Sequence, residues 1–280
     1  MIDIDTLIRS AYALAPLPSS VTRLAAIIAG DDWSADEIEE VITLDPALTA
    51  NLLRLANSAA FGSRRGITSV RQAVVRLGVG SVLSLAVGAS VQSRVDRPVP
   101  EYGLSSGQLW RHAVVSALVA EQSRRLCRAE LPQEAYTAAL LHDIGKLIVA
   151  RFLGPEVREL LRHAREQGSL SLVEAESEVL GVHHGEIGGL VAQHWSLPDS
   201  IAEGIQHHHA PERGRSIVCH VVHLANAVAH RIETTEASDR SAGDEIPPST
   251  LDALGLERED LGELEDDVRP RIDQILAEYV

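Results

Sequence analysis

The sequence predicts an all-α protein, and three observations carry the expectation. Helix punctuation recurs along the 280 residues as capping boxes, an Asp-Pro start and glycine stops. Strand signals are weak by comparison. Hydrophobic residues make up 45% of the chain but aromatic ones only 3%, so the core must be mostly Leu, Val, Ile and Ala. A chain of this size can bury a full core, as one large helical domain or as two subdomains.

Each element has a local cause. Ser34 and Glu37 form a capping box that opens a helix running to about Leu44. Asp45-Pro46 is an N-cap followed by proline at the first helical position, and Leu48, Leu52 and Leu55 share one face of the helix it starts. Thr68 opens another helix, with Val70, Ala73, Val74 and Leu77 at helical spacing, and Gly78 stops it. Ser81 to about Val95 is a further apolar helix. Arg97-Pro98-Val99-Pro100 is a short rigid break, which sets an N-terminal subdomain (residues 1–95) apart from a second helical unit (96–233). In that unit a helix runs from about Ser106 to Arg128, and Pro132 begins the helix that carries His142 and Asp143. Ser171 and Glu174 form a second capping box on a helix ended by Gly181. Short helices follow around 184–195 and 199–208, then a longer one over 216–233. Residues 234–250 are rich in Thr, Ser, Asp, Glu and Pro and read as a linker. The last 30 residues are acidic, with two helical stretches.

Charge and cysteine content exclude several classes. A net charge of -15 and a pI near 5.2 oppose non-specific binding to nucleic acid or to an anionic membrane. The 2 cysteines, Cys127 and Cys219, make no disulfide framework. The acidic start, Met1-Ile2-Asp3-Ile4-Asp5, is unlike a signal peptide. No apolar run reaches the ~20 residues that span a bilayer. The expectation is a soluble, cytoplasmic, bacterial-type protein that binds neither DNA nor membrane. One segment, Val75-Arg76-Leu77-Gly78-Val79-Gly80-Ser81, looks like a DNA-binding hairpin turn. Only Arg71 and Arg76 flank it, and the acidic chain favours helix packing instead.

The most informative feature is the dyad His142-Asp143, set in an apolar run from Ala138 to Val149. Burying an unpaired charge costs about 5 kcal/mol or more, so the pair needs a partner. A divalent metal suits both groups. Lys146 lies four residues after His142, one turn further along the same face. Gly145 costs ~1 kcal/mol relative to Ala in a helix, which makes sense if a backbone or a ligand approaches closely. The dyad alone fits equally a core histidine bonded to a carboxylate. His112 lies on an apolar stripe with Leu109, Ser116 and Val119. His184 and its neighbour His183 are equally available by chemistry. His207-His208-His209 ends a helix, where histidines also serve as solvated decoration. Together these fall among 12 histidines, more than ordinary usage.

The order His112, His142-Asp143, His184, His208-His209 and Ala225-Asn226 resembles the HD metal-dependent phosphohydrolase superfamily. The first half fixes the branch. Leu17-Pro18, Asp45-Pro46-Ala47-Leu48, Leu52 through Phe61 with its Asn57-Ser58-Ala59 block, Ile67-Thr68-Ser69-Val70, Ala73-Val74 and Leu77-Gly78 resemble the HDOD family, the HD-related output domain, as does Trp195-Ser196-Leu197-Pro198. The resemblance covers roughly residues 12–230. It implies an all-helical HD-like core with an N-terminal helical subdomain, found in bacterial signalling proteins and regulatory rather than enzymatic in most members. In hydrolytic HD relatives, the positions matching His112, His142, Asp143, His184, His208, His209 and Asn226 bind metal, and the position of Lys146 contacts substrate phosphate.

The chain departs from the hydrolytic pattern. Asn226 stands where those enzymes use an aspartate, Gln108 where multi-metal relatives place a glutamate, and Ala210-Pro211-Glu212 replaces a Gly-Tyr-Pro segment. A neutral amide is a poorer ligand than a carboxylate. The expected function is therefore a signalling output module that binds a protein partner, with a degenerate site for iron, manganese or zinc. Its acidic surface would select basic partners. The alternative is a metal-dependent phosphohydrolase acting on a nucleotide or cyclic dinucleotide, with Lys146 on the phosphate.

Overall fold

Every long apolar stretch of the described chain is helical. Among the described residues the one extended pairing is an isolated antiparallel bridge between Val99 and Leu104. The computed structural model describes residues 4–30, 33–58, 66–168, 170–233 and 245–277.

The first six helices are α1 (Ile4–Tyr12), α2 (Ser19–Ile28), α3 (Ala35–Thr43), α4 (Pro46–Ala56), α5 (Val70–Leu77) and α6 (Val79–Val95). The capping signals act as the sequence predicts. Ser34 and Glu37 satisfy each other's backbone N–H, and Asp45 accepts from Leu48 N at 3.0 Å. Asp45 also accepts from Ser20 Oγ at 2.6 Å, which ties α4 to α2. Leu48, Leu52 and Leu55 are buried together. In α6 every residue from Val79 to Gly88 is buried, because α2, α4 and α5 pack on one side and the second half of the chain on the other.

That second half comprises α7 (Gln108–Leu126), α8 (Ala135–Leu141), α9 (Lys146–Val149), α10 (Pro155–Gly168), α11 (Leu172–Leu180), α12 (His184–His194), α13 (Asp199–Gln206) and α14 (Val218–Glu233). The chain ends in α15 (Pro248–Leu254), α16 (Asp260–Val268) and α17 (Ile272–Ala277). Helices α7, α8, α13 and α14 pack on one another, α12 lies along α13, and α16 and α17 cover α7. Helix α6 packs on α8, and α1 on α12.

Several boundaries differ from the sequence reading. Ser69, not Thr68, caps α5, because its hydroxyl accepts from Gln72 N while Gln72 Oε1 takes Thr68 N. Helix α6 begins at Val79, not Ser81, since Gly78 at φ 77° is at once the stop of α5 and the cap of α6. The helix expected from Pro132 starts at Ala135 and ends at Leu141, so His142 and Asp143 sit in the joint between α8 and α9. There the hydrogen bonds shorten to the i→i−3 pattern: Ile144 N to Leu141 O, Lys146 N to Asp143 O, Leu147 N to Ile144 O. Of the expected linker, residues 234–244 lie outside the described residues, and 248–250 already belong to α15. Ala59, Ala60 and Phe61 also lie outside them. Asn57 bridges the flanks of that segment through Leu53 O and both backbone groups of Ile67.

Candidate metal centre

Four helix ends meet at one point. His112 comes from the first turns of α7, His142 and Asp143 from the α8–α9 joint, His184 from the start of α12, and His208 and His209 from the turn after α13. Glycine makes the meeting feasible. A Cβ on Gly145 would sit 1.9 Å from His184 O and 2.7 Å from Gly188 N. One on Gly188 would sit 2.8 Å from Ile205 Cγ2. The expectation that Gly145 admits a close backbone is met, and the backbone is that of α12.

The histidines are oriented by their Nδ1 atoms. His142 Nδ1 donates to Ala139 O at 2.8 Å, and His208 Nδ1 to Ile205 O at 2.6 Å. His184 Nδ1 donates to Glu176 Oε2 at 2.8 Å, and His112 Nδ1 to Glu233 Oε2 at 2.8 Å. A carbonyl can only accept, so the protons of His142 and His208 are fixed on Nδ1 and their Nε2 atoms carry lone pairs. Both Nε2 atoms are buried without a hydrogen-bond partner. Burial pushes the His142 pKa down to about 4 and those of His208 and His209 well below the usual value, so all three are neutral donors at pH 7.

Among the described residues, Asp143 is the one carboxylate in the two clusters that could hold a metal. Its Oδ1 lies 3.3 Å from His184 Nε2, and its Oδ2 lies 2.6 Å from Lys146 Nζ. Burial works against the carboxylate, but the charges of Lys146, His142 and His184 outweigh it and hold Asp143 well below the usual range. Two triads bring ligand atoms within 4.8 Å of one another: His184, His208 and His209, and His112, His142 and Asp143. Buried lone pairs with no donor, beside one anion, are the donor set of a divalent transition metal, so the residues present fit such an ion.

The half of the site around His112 is differently served. His112 Nε2 donates to Asn226 Oδ1 at 2.9 Å while Nδ1 donates to Glu233. Burial opposes a charge on His112, but the bond and charge of Glu233 and the charge of Asp143 raise its pKa. Both His112 nitrogens are thus engaged by groups of the chain itself, Glu233 and Asn226. A cavity of about 520 Å³ opens beside it, lined by Arg111, His112, Asp143, Lys146, His230 and Glu233. Gln108 also borders this cavity, but its Oε1 accepts from Ser105 N at 2.6 Å.

The structure separates the adjacent histidines that the sequence left open. His184 is buried at the centre, whereas His183 caps α12 by accepting from Gly185 N. His207 is the C-cap of α13. Three residues, Glu176, Tyr102 and Glu233, were not anticipated. Glu176 is fully buried, receives both Nδ1 and the backbone N of His184, and takes the Tyr102 hydroxyl at 2.7 Å. Its signal was available, since Leu172, Glu176 and Leu180 are spaced as one apolar stripe of α11. Glu233 follows Asn226 by two turns on α14.

The sequence profile of the HDOD domain matches residues 14–211, well over half of the chain. The chain belongs to the HDOD family. Among solved structures, it is similar to an HDOD domain protein of unknown function from Geobacter sulfurreducens, 25% identical with a TM-score of 0.71, covering 97% of this chain and 98% of that one. It is also similar in fold to a provisionally named signal transduction protein from Marinobacter aquaeolei VT8, at 24% identity and a TM-score of 0.74, covering 96% of this chain and 59% of that one. A third, provisionally named a phosphohydrolase, from Shewanella amazonensis SB2B, is 24% identical with a TM-score of 0.69, covering 98% of each. An uncharacterized Treponema pallidum protein is 27% identical over 252 residues, 87% of this HDOD chain, which spans about half (46%) of that relative's length. No single described helix of the HDOD chain is long and apolar enough to cross a membrane.

Proposed function

We propose that this HDOD chain is a signal-transduction output module that acts by binding other proteins. One divalent transition metal (iron, manganese or zinc) fastens its helical core, and the chain does not turn over phosphodiesters efficiently. One observation carries the reading: the His112 half of the site is engaged by the chain's own hydrogen bonds, whereas two buried imidazole nitrogens in the other half have no partner. His112 spends both nitrogens on Glu233 and Asn226, and Lys146 Nζ takes Asp143 Oδ2. The other half keeps buried, unpartnered Nε2 atoms on His142 and His208, beside His184 Nε2, which lies 2.9 Å from His209 Nε2 and 3.3 Å from Asp143 Oδ1. Imidazole with a single carboxylate suits iron, manganese or zinc better than calcium. When bound, the ion supplies positive charge that joins the α8–α9 joint to α12 and the turn after α13.

A phosphohydrolase reading has one observation in its favour, the cavity that sets Arg111 and Lys146 beside Asp143. Two measurements separate the readings. Elemental analysis of purified protein should find about one equivalent of transition metal, lost in Asp143→Ala. Assays against cyclic dinucleotides, nucleotides and generic phosphodiesters, with iron or manganese supplied, should show turnover below ~1 s⁻¹, the low end of ordinary enzymes. Faster turnover that disappears in Asp143→Ala would establish the hydrolase instead.

A further inference from the structure

A second concavity, of about 490 Å³, lies where the end of α1, the end of α6 and α9 meet. Its rim carries Arg94, Arg97 and Arg151, with one acidic residue, Glu101. Its floor is aliphatic, from Leu14, Val99, Leu147 and Ala150. Three guanidinium groups border this hollow in a chain of net charge -15. Several arginines elsewhere are neutralised: Arg71 pairs with Asp36 and Glu39, Arg125 with Asp267, Arg231 with Glu265 and Arg271 with Glu121. Arg94 donates to the carbonyl of Ala15. Arg97 and Arg151 have no carboxylate within 4.0 Å among the described residues, although Glu101 lines the same hollow.

We propose that this groove is a docking site for a short acidic peptide segment of a partner protein, whose carboxylates meet Arg97 and Arg151 while an aliphatic side chain rests on Leu14, Val99 and Leu147. The proposal rests on the reading of the chain as an interaction module and gives that module its partner chemistry. Guanidinium forks bind carboxylates through two parallel bonds, and they desolvate more readily than ammonium groups. The aliphatic floor has no use for a bare inorganic anion. No aromatic ring lines the groove, so a nucleobase would find no stacking platform. Strand addition is excluded at this wall, because Val99 N and O are both spent on Leu104. Recognition must therefore run through side chains. Pro98 and Val99, from the Arg97-Pro98-Val99-Pro100 segment that the sequence reads as a rigid break, form one side, so little order has to be imposed on binding. The groove is also joined to the metal centre. Leu147, Ala150 and Arg151 follow directly on Lys146, whose Nζ holds Asp143.

The test uses the full chain and a short fluorescein-labelled peptide alternating glutamate and leucine, followed by fluorescence anisotropy near physiological ionic strength. Saturable binding should weaken about tenfold or more in Arg97→Glu/Arg151→Glu. It should stay within about twofold in Arg124→Glu/Arg258→Glu, which makes the same charge change at exposed positions that do not line the groove. A matched lysine–leucine peptide should not bind. Each of four outcomes would overturn the proposal: no saturable binding to the wild type, equal loss in both double variants, retention in the groove variant, or binding of inorganic phosphate or a cyclic dinucleotide where the peptide does not bind. All four variant positions are exposed, so circular dichroism should find both doubles folded. Failure here leaves the interaction-module reading to its own turnover assay, which does not involve the groove.

Discussion

Nε2 of His184 and Nε2 of His209 face each other at 2.9 Å, with Oδ1 of Asp143 3.3 Å from the former. Two imidazole nitrogens approach this closely only with a proton or a cation between them. Burial opposes charge on His184, but Glu176 and Asp143 raise its pKa, which favours the protonated imidazole without metal. Metal must displace that proton. Binding should therefore release protons at neutral pH, measurable by calorimetry in buffers of different ionisation enthalpy. An unchanged apparent enthalpy across buffers would contradict the assignment.

Glu176 holds His184 in the orientation that metal binding requires. Glu176→Gln keeps the shape, and the amide can still serve Tyr102 and the His184 backbone. It removes the charge that fixes the imidazole. Metal affinity should drop about 10- to 100-fold with the far-ultraviolet dichroism unchanged. Loss of the fold in the isosteric variant would make Glu176 structural instead.

Acid should weaken the metal-free protein across a defined window. His142, His208 and His209 have folded pKa values below the unfolded value, so the unfolded chain binds more protons once the pH drops under about 6.5. Stability from these groups is present above that pH and is lost as the pH approaches the folded pKa, about 4 for His142. His142 alone accounts for roughly 3 kcal/mol over that span, at 1.36 kcal/mol per unit. His112 and His184 have raised pKa values and act with the opposite sign, but His183, His220 and His230 are lowered as well and add to the decline. Urea midpoints measured between about pH 7 and 4 should decline, and His142→Gln should flatten the decline.

Gly145→Ala should be among the most damaging single-methyl substitutions in the chain. The added Cβ meets two backbone atoms, His184 O and Gly188 N, neither of which is the flexible end of a side chain. A loss of about 3 kcal/mol or more is expected, with loss of bound metal. A near-neutral melting shift would mean that α12 can move away from the joint at little cost.

The first 95 residues should not fold alone. Helix α6 is buried along the whole of Val79–Gly88, and part of that burial is supplied by α8. A 1–95 fragment should be unfolded or aggregated. A soluble fragment with a cooperative melt would show two independent domains.

The sequence by itself determined the parts that depend on neighbouring residues. The Ser34 and Ser171 capping boxes, the Asp45-Pro46 start and the Gly181 stop are local hydrogen-bonding and backbone preferences, and they sit where the sequence puts them. The Leu48, Leu52 and Leu55 face is read from period alone, and the family is legible in short motifs. Tertiary structure decided the rest. The α8–α9 joint tightens where α12 presses against Gly145, a contact made across dozens of residues. Whether His183 or His184 enters the centre depends on where α12 starts against Glu176, since the two imidazoles are chemically the same. Glu176 and Glu233 take their meaning from partners far away in the chain, and Arg97 and Arg151 from having no carboxylate within 4.0 Å among the described residues. Electrostatic fate depends on three-dimensional neighbours and burial, and a sequence lists residues without either.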